Sequence, residues 1–327
     1  MSSIESIRNG SIRKIAQPIK HVAQQGQTLL SQALPNRALL NHKFEPALGL
    51  DPQREFKMSR VAPFPFPVVL HFSYHKCLTV YYNRVISTLA REFGFPYFEH
   101  FYISNSALRS ELRQSQHPRI FTLSMSEDVC FEGFPDYRGS CFIRDPRDLV
   151  VSGYRYHLWT KEPWCREPFQ GWEWVTRHPV FEQYIESNRR KHPTTASYQE
   201  YLQTLTSEQG LLLEMIWRQS DFSQMRNWNY NNPKVLVQRY DKVIGQEQAA
   251  FKALFEHYQL HPALQARGLQ LVEKYALKNQ ARGQSSHIRS GSTRQWPAEF
   301  SPLNQKVFKQ LYGQLLIQLQ YESSLDW

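Results

Sequence analysis

Short apolar runs rich in branched side chains alternate along this chain with longer stretches whose apolar positions recur every three to four residues. Pro67-Val68-Val69-Leu70-His71-Phe72 is one such run. It predicts a strand buried on both faces, because a half-exposed strand would alternate apolar with polar. Downstream, Tyr81, Val85, Thr88 and Leu89 fall at helical spacing and predict a helix. The stretch "FGFPYFEHF" then carries the strand that follows this helix. Arg119 to Ser124, Gly139 to Arg144 and Lys234 to Arg239 predict further strands, with helix-patterned segments following or separating them. The last helix has a clear start, with Ser301 as N-cap and Pro302 in the first turn, and its periodicity runs to about Leu319. Strands alternating with helices predict an α/β fold of three layers: a mostly parallel central sheet with helices on both faces.

The first 60 residues read differently. They are rich in Ser, Gln and Asn, and Ile4, Ile7, Ile12, Ile15, Ile19 and Val22 fall near helical spacing with Arg8, Arg13, Lys14 and Lys20 between them. The pattern divides the chain into a basic N-terminal extension over residues 1–60, helical or partly ordered, and one domain over 61–327. Residues 1–25 either touch a membrane surface or partner as a basic amphipathic helix or pack on the main domain. No run reaches the roughly 18 to 20 apolar residues of a membrane span. Nor does the start carry a charged, apolar, small-residue signal pattern, and the expected compartment is the cytoplasm. Cys77, Cys130, Cys141 and Cys165 form no CxxC pair and no metal-ligand spacing with histidines, so reduced thiols and no metal are expected.

A net charge of +10 favours anionic partners: nucleic acid, an anionic membrane or a phosphorylated cofactor. The basic residues are spread rather than clustered and carry no nucleic-acid recognition motif, so no nucleic-acid partner is expected. The stretch "HFSYHKCLTVYYNRV" sharpens the choice. A strand feeding a helix through a tight turn aims free backbone N–H groups and the positive end of the helix dipole outward. A lysine there suits a phosphate; the plainer reading is a surface lysine on an ordinary connection. A Walker-type nucleotide kinase fits poorly, because the lysine comes early and no glycine precedes it.

A second stretch, "GSCFIRDPRDLVVSGYRYHLWT", sets Arg144 at a strand end and Asp145-Pro146 as N-cap and first helical residue. Ser152 lies eight positions beyond Arg144, about two helical turns, so both side chains can converge on one anion. The plainer reading of Arg144 is an ion pair with Asp148.

Together these stretches resemble the sulfotransferases that use 3′-phosphoadenosine 5′-phosphosulfate (PAPS). In that family a Lys-x-Gly-Thr-Thr turn holds the 5′-phosphosulfate, and Arg-(Asp/Asn)-Pro-x-Asp…Ser holds the 3′-phosphate. The matching residues are Lys76-Cys77-Leu78-Thr79-Val80 and Arg144-Asp145-Pro146-Arg147-Asp148…Ser152. "HIRSGSTRQWPAEF" matches the spacing of a third signature, an Arg-Lys-Gly stretch followed by Gly-x-Trp, with Arg289, Ser290 and Gly291 on the first part and Trp296 and Phe300 on the later aromatics. "KVLVQRYDKVIG" resembles the family's strand ending in Tyr-Glu-Asp, with Tyr240 and Asp241 in the first two places. The resemblance runs from about Pro67 to Glu322 and implies a P-loop-like phosphate-binding turn. It also implies PAPS as co-substrate, adenosine 3′,5′-bisphosphate (PAP) as product, and an acceptor bearing a hydroxyl or amine on a small molecule, lipid or glycan.

The resemblance carries roles with it. Lys76 would stabilise the leaving phosphate; Arg144, Ser152 and Arg289 would grip the 3′-phosphate; Tyr81 falls where an aromatic residue often covers the adenine. Four positions depart from the pattern. Leu78 replaces the turn glycine, where a Cβ is expected to crowd the phosphate or forbid a positive φ. Val80 replaces the second threonine, Ser290 the lysine beside Arg289, and Arg294 the later glycine. Ser124 stands where small-molecule members carry a histidine base. Glycan-modifying members use a glutamate at the end of the strand after the first helix, which selects Glu99 as base, with His100 next and Glu127 or Asp128 as outsiders. The alternative for Glu99 is an exposed carboxylate at a strand end. Tyr154, Tyr156, Trp159, Trp164, Phe169, Trp172 and Trp174 form either an acceptor wall or core packing. The expected function is sulfuryl transfer. The rival is a catalytically silent relative that binds PAP or a polyanion, for which Leu78, Val80 and Ser124 speak.

Overall fold

The computed structural model describes residues 62–113, 117–125, 128–185, 195–279 and 292–327. The N-terminal extension, Glu127, Arg289, Ser290 and Gly291 lie outside the described residues.

Five strands form one sheet in the order β2-β3-β1-β4-β5. They are β1 (Val68–Ser73), β2 (Tyr97–Ile103), β3 (Arg119–Met125), β4 (Tyr137–Ile143) and β5 (Val235–Arg239). Every pairing is parallel. Each predicted strand is therefore present; the four read with explicit bounds are displaced by no more than two residues, and β2 begins inside "FGFPYFEHF" and runs past its end. β1 is buried at all six positions because it lies at the centre of a sheet covered on both faces.

The helices that matter for the site are α1 (Thr79–Phe93), α2 (Asn105–Arg113), α3 (Pro146–His157), α4 (Pro163–Arg166), α5 (Ser207–Trp217), α6 (Glu247–His257), α7 (Pro262–Lys274), α8 (Trp296–Glu299) and α9 (Pro302–Gln318). Helix α3 starts as its sequence dictates. The Asp145 side chain accepts from the Arg147 amide at 2.9 Å, and Pro146 occupies N1, where a missing N–H costs nothing. Helix α9 starts in the same way, with Ser301 and Asn304 forming a capping box.

On the α1 face the sheet carries a polar network inside the core. His71 Nδ1 lies 2.7 Å from Ser140 Oγ, Ser140 meets the Tyr258 hydroxyl, and Tyr258 meets Tyr82 at 3.0 Å. The His71 ring stacks on Tyr82 with centroids 3.6 Å apart. Burial pushes the His71 pKa down to about 3, so the ring is neutral.

The connections place the site. From β1 the chain moves through α1 towards β2 on one side; from β4 it proceeds towards β5 on the other. In a parallel α/β sheet this reversal opens a crevice at the carboxyl ends of the two diverging strands. Here those ends carry Lys76 and Arg144.

Candidate active site

Two residues in a conformation that side chains disfavour shape the turn after β1. Lys76 has φ 69° and Leu78 φ 64°, with Cys77 at negative φ between them. Each left-handed non-glycine residue costs roughly 1–2 kcal/mol. The expectation that Leu78 would forbid a positive φ is therefore corrected. Its side chain is buried in the core, and that contact offsets the backbone cost. Alternation of this kind is how a turn before a helix gathers amides towards an anion. Leu78 is the N-cap of α1 but offers no side-chain bond, and the first turn holds no acid, so nothing from the chain's own caps competes with an anionic ligand there.

The hydroxyl of Thr79 staples the turn shut. It donates to the Tyr74 carbonyl at 3.2 Å and contacts the Ser73 hydroxyl. Cys77 is buried, its amide donates to Tyr74 O at 3.1 Å, and burial pushes its thiol up to about 12. Val80 is exposed in the first turn of α1.

Arg144 joins three distant parts of the sequence. It lies one residue past β4 and is buried. Its Nη1 donates to the Lys76 carbonyl at 3.2 Å and its Nη2 to the Ser292 carbonyl at 3.5 Å. The guanidinium carbon lies 4.2 Å from the Tyr240 ring centroid. Its Nε is buried without a hydrogen-bond partner among the described residues.

Asp148 is not spent on Arg144. Its carboxylate accepts from the backbone amides of Arg294, Gln295 and Trp296 at 2.7, 2.8 and 3.1 Å. Arg294 itself has φ 54°. The two positions where glycine was expected, 78 and 294, thus both keep the left-handed backbone without glycine. Ser152, half-buried, shares the α3 face of Asp148 at i,i+4 spacing; on the same face Arg155 pairs with Glu299 of α8 at 2.5 Å.

Lys76 is half-buried with its Nζ 4.0 Å from the Tyr156 ring centroid. Burial first, then Arg144 and Arg218, pull its pKa down to about 7. Tyr156 donates to Glu162 at 2.6 Å, and the Trp164 indole also meets that carboxylate. Behind Lys76, Arg218 donates from Nη2 to His75 Nδ1 at 3.0 Å and from Nε to Glu214 at 2.9 Å, and it pairs with Asp221 at 2.8 Å. Glu214 also accepts from His157 Nδ1 at 2.8 Å and from Tyr198 at 2.9 Å. Burial works against its charge, yet His157 and Arg218 hold its carboxyl below the ordinary value. Gly153 makes room for this pair: a Cβ there would lie 2.0 Å from Glu214 Oε1 and 2.5 Å from Arg218 Nη2.

Other expected site residues lie elsewhere. Glu99 sits mid-strand, in register with Thr122 and through it with His71, two positions short of the level of Ser73. Its carboxylate accepts from Asn83 of α1 at 2.8 Å, and burial raises its pKa. His100 points to the opposite face, 2.7 Å from Glu111 of α2. Ser124 is the register partner of Ser73 at the carboxyl edge, where Glu99 was expected to reach. Asp128 is exposed and bonded to Asn227. Tyr81 is buried, its hydroxyl on the Val272 carbonyl and its ring 5.1 Å from Phe251, so it packs in the core rather than offering a ring face to a base. Of the aromatic stretch, Tyr154, Trp172 and Trp174 are buried in the core, while Tyr156 and Trp164 border the lysine site.

Sequence reasoning missed His75, His157, Glu162, Glu214 and Arg218. One signal was available: Glu214 is a carboxylate inside the apolar run "GLLLEMIW", and such a group needs partners. Among the described residues no cluster of His, Cys, Asp and Glu is arranged to hold a metal ion, and no helix is long and apolar enough to cross a membrane.

No family model matches the sequence, and no curated protein matches it. Among solved structures the chain is similar to a mouse sulfotransferase, SULT7A1, complexed with PAP, at 13% identity over 76% of this chain and 84% of that one, with a TM-score of 0.43. It is also similar to retinol dehydratase in complex with androsterone and inactive cofactor PAP, at 13% identity over 78% and 81% with a TM-score of 0.41. A third similar structure is retinol dehydratase in a complex with retinol and PAP, at 12% identity over 78% and 82% with a TM-score of 0.40.

Proposed function

We propose that this chain is a PAPS-dependent sulfotransferase, acting in the cytoplasm on an acceptor hydroxyl or amine. One observation carries the reading. The buried Arg144 guanidinium bonds to the backbone of the Lys76 turn and leaves Nε without a hydrogen-bond partner among the described residues, so two cations and the amides of a helix N-terminus converge on one crevice. Burial first and then the neighbouring Arg144 hold the Lys76 pKa down in the free protein, and a bound phosphate offsets that penalty. PAPS, when bound, supplies an activated sulfuryl group. The chain's part is to fix both ends of the nucleotide, with the turn and Lys76 at the 5′ end, and Arg144 together with Ser152, Arg289, Ser290 and Gly291 at the 3′-phosphate. Lys76 then meets the charge that grows on the leaving phosphate oxygen.

A silent PAP-binding protein is the second reading. It is favoured by Ser124 at the strand edge, by the Thr79 hydroxyl spent inside the turn, and by Glu99 lying away from Lys76. Thermal denaturation with PAP and with ATP tests the shared premise: PAP is expected to raise the midpoint well above the ATP shift, and equal shifts at matched concentration would exclude 3′-phosphate recognition. An acceptor screen with labelled PAPS, read by mass spectrometry for an added sulfuryl group, then separates enzyme from silent binder.

A further inference from the structure

The sulfotransfer reading leaves the acceptor's base unassigned, and we infer that His157, oriented by Glu214, is the group that takes the acceptor's proton. The inference rests on that reading and deepens it. His157 closes α3 and is fully buried. Its Nδ1 lies 2.8 Å from Glu214 Oε2, and a carboxylate accepts only, so Nδ1 carries a proton and, in the neutral ring, Nε2 keeps its lone pair. Nε2 is buried and has no hydrogen-bond partner among the described residues. An unmet buried acceptor costs roughly 1–3 kcal/mol, and a donor hydroxyl from a ligand is the group that satisfies it.

The surroundings agree with this assignment. The His157 ring lies parallel to His75, the residue before Lys76, with centroids 5.6 Å apart. It meets Tyr156 at 5.7 Å, the same ring that carries the Lys76 ammonium on its face. Imidazole and amine thus flank one tyrosine. Trp164 of α4 stands edge-on to His157 at 5.2 Å and is half-buried, so it lies between the buried ring and the surface. Glu214 is fixed by Arg218 and Tyr198, so it acts as a positioning residue: it sets the tautomer and stabilises the imidazolium after transfer. Arg218 donates to Nδ1 of His75, which leaves His75 as an Nε2–H donor and unsuited to the role of base.

The step balances. His157 Nε2 takes the proton of the acceptor hydroxyl as that oxygen bonds to sulfur. The bridging S–O bond breaks with its electron pair left on the phosphate oxygen beside the Lys76 ammonium.

Nitrogen-15 shifts of the full chain, assigned by comparison with His157→Gln, give a test independent of turnover. In the neutral ring the proton is expected on Nδ1, with that preference weakened in Glu214→Gln, whose amide can donate to Nδ1. A ring protonated on Nε2, or charged at both nitrogens in a fixed ion pair, overturns the assignment. In a second arm, PAP release from PAPS is followed with 4-nitrophenol, a straight-chain alcohol and a disaccharide as probe acceptors, using the fastest. His157→Gln is expected to lower it on the order of 100-fold or more. Its PAP affinity by calorimetry stays within about threefold, less than 1 kcal/mol. An active His157→Gln overturns this assignment alone; a wild-type chain that binds no PAP overturns the sulfotransfer reading and the assignment with it.

Discussion

The Arg144 guanidinium donates to the carbonyl of Lys76 over 3.2 Å, across 68 residues of sequence. This bond ties the end of β4 to the turn after β1, and Nη2 of the same side chain extends the tie to Ser292. Arg144→Ala is expected to weaken PAP binding by roughly 1.5–3 kcal/mol, the range for a charge-assisted contact. Arg144→Lys should recover little of it, because an ammonium cannot span two carbonyls and a phosphate as the planar fork does. Calorimetry on both variants checks this, and unchanged affinity in Arg144→Ala would remove the residue from the nucleotide site.

Lys76 gives the site a pH signature. Its pKa in the free protein is about 7, held down by burial and then by Arg144 and Arg218. A phosphate beside it raises that value, so binding draws in a proton wherever the pH exceeds the free value. At about pH 8, PAP binding is expected to take up close to one proton, and affinity should fall as the pH rises further. Calorimetry in buffers of different ionisation enthalpy reads the uptake directly. Lys76→Met should abolish that share, which separates it from protonation of the nucleotide itself.

Glu99 offers a contrast with His157. Its carboxylate is engaged by Asn83 at mid-strand level, below the carboxyl edge where Lys76 sits. Glu99→Gln is therefore expected to keep PAP affinity and most of the PAP release, opposite to its sequence-based role as base. A loss on the order of 100-fold with intact binding would restore it.

The strands, the order of elements and the cap of α3 were legible because they depend on local patterns: branched apolar runs, an Asp-Pro start and helical spacing. Lys76 and Arg144 were legible as a pair because each follows a strand at the sheet's carboxyl edge. The partners of Asp148 were not, since they are backbone amides 146 to 148 residues away and leave no side-chain signature. The Glu214–His157–Arg218 group was hidden for a related reason. Its members come from α3, from α5 and from Arg218 at the C-cap of α5, and the residue that lets them meet is Gly153, whose role is space rather than chemistry. For Glu99 strand alternation gave the face, while its height in the sheet depended on register, which leaves no local signature.

His71 makes stability depend on acid. Its folded pKa of about 3 lies below the ordinary 6.5, so the unfolded chain binds a proton that the folded core refuses. Stability from this group is complete above about pH 6.5 and is lost as the pH falls towards 3, at roughly 1.4 kcal/mol per unit. By about pH 4 the loss approaches roughly 3 kcal/mol. Urea unfolding of wild type and His71→Gln between pH 7 and 4 checks this. The variant's curve should be flatter by about that amount, because its amide keeps a bond to Ser140 and does not titrate.

The two left-handed positions that carry side chains give opposite expectations from one backbone effect. Leu78 and Arg294 both hold positive φ, 64° and 54°, so a glycine relieves about 1 kcal/mol of strain at either site. Arg294 is exposed, and it is the backbone amide that Asp148 holds. Arg294→Gly should therefore stabilise the fold by roughly 0.5–1 kcal/mol relative to Arg294→Ala, which keeps the Cβ. Leu78 is buried, and Leu78→Gly surrenders roughly 2–4 kcal/mol of packing for the same relief. The net there is a loss of about 1–3 kcal/mol, even though glycine is the residue that the sulfotransferase pattern has at this position. Chemical denaturation of the three variants reads both signs. Should Leu78→Gly prove more stable than wild type, the leucine's packing does not offset the backbone strain of the turn after β1.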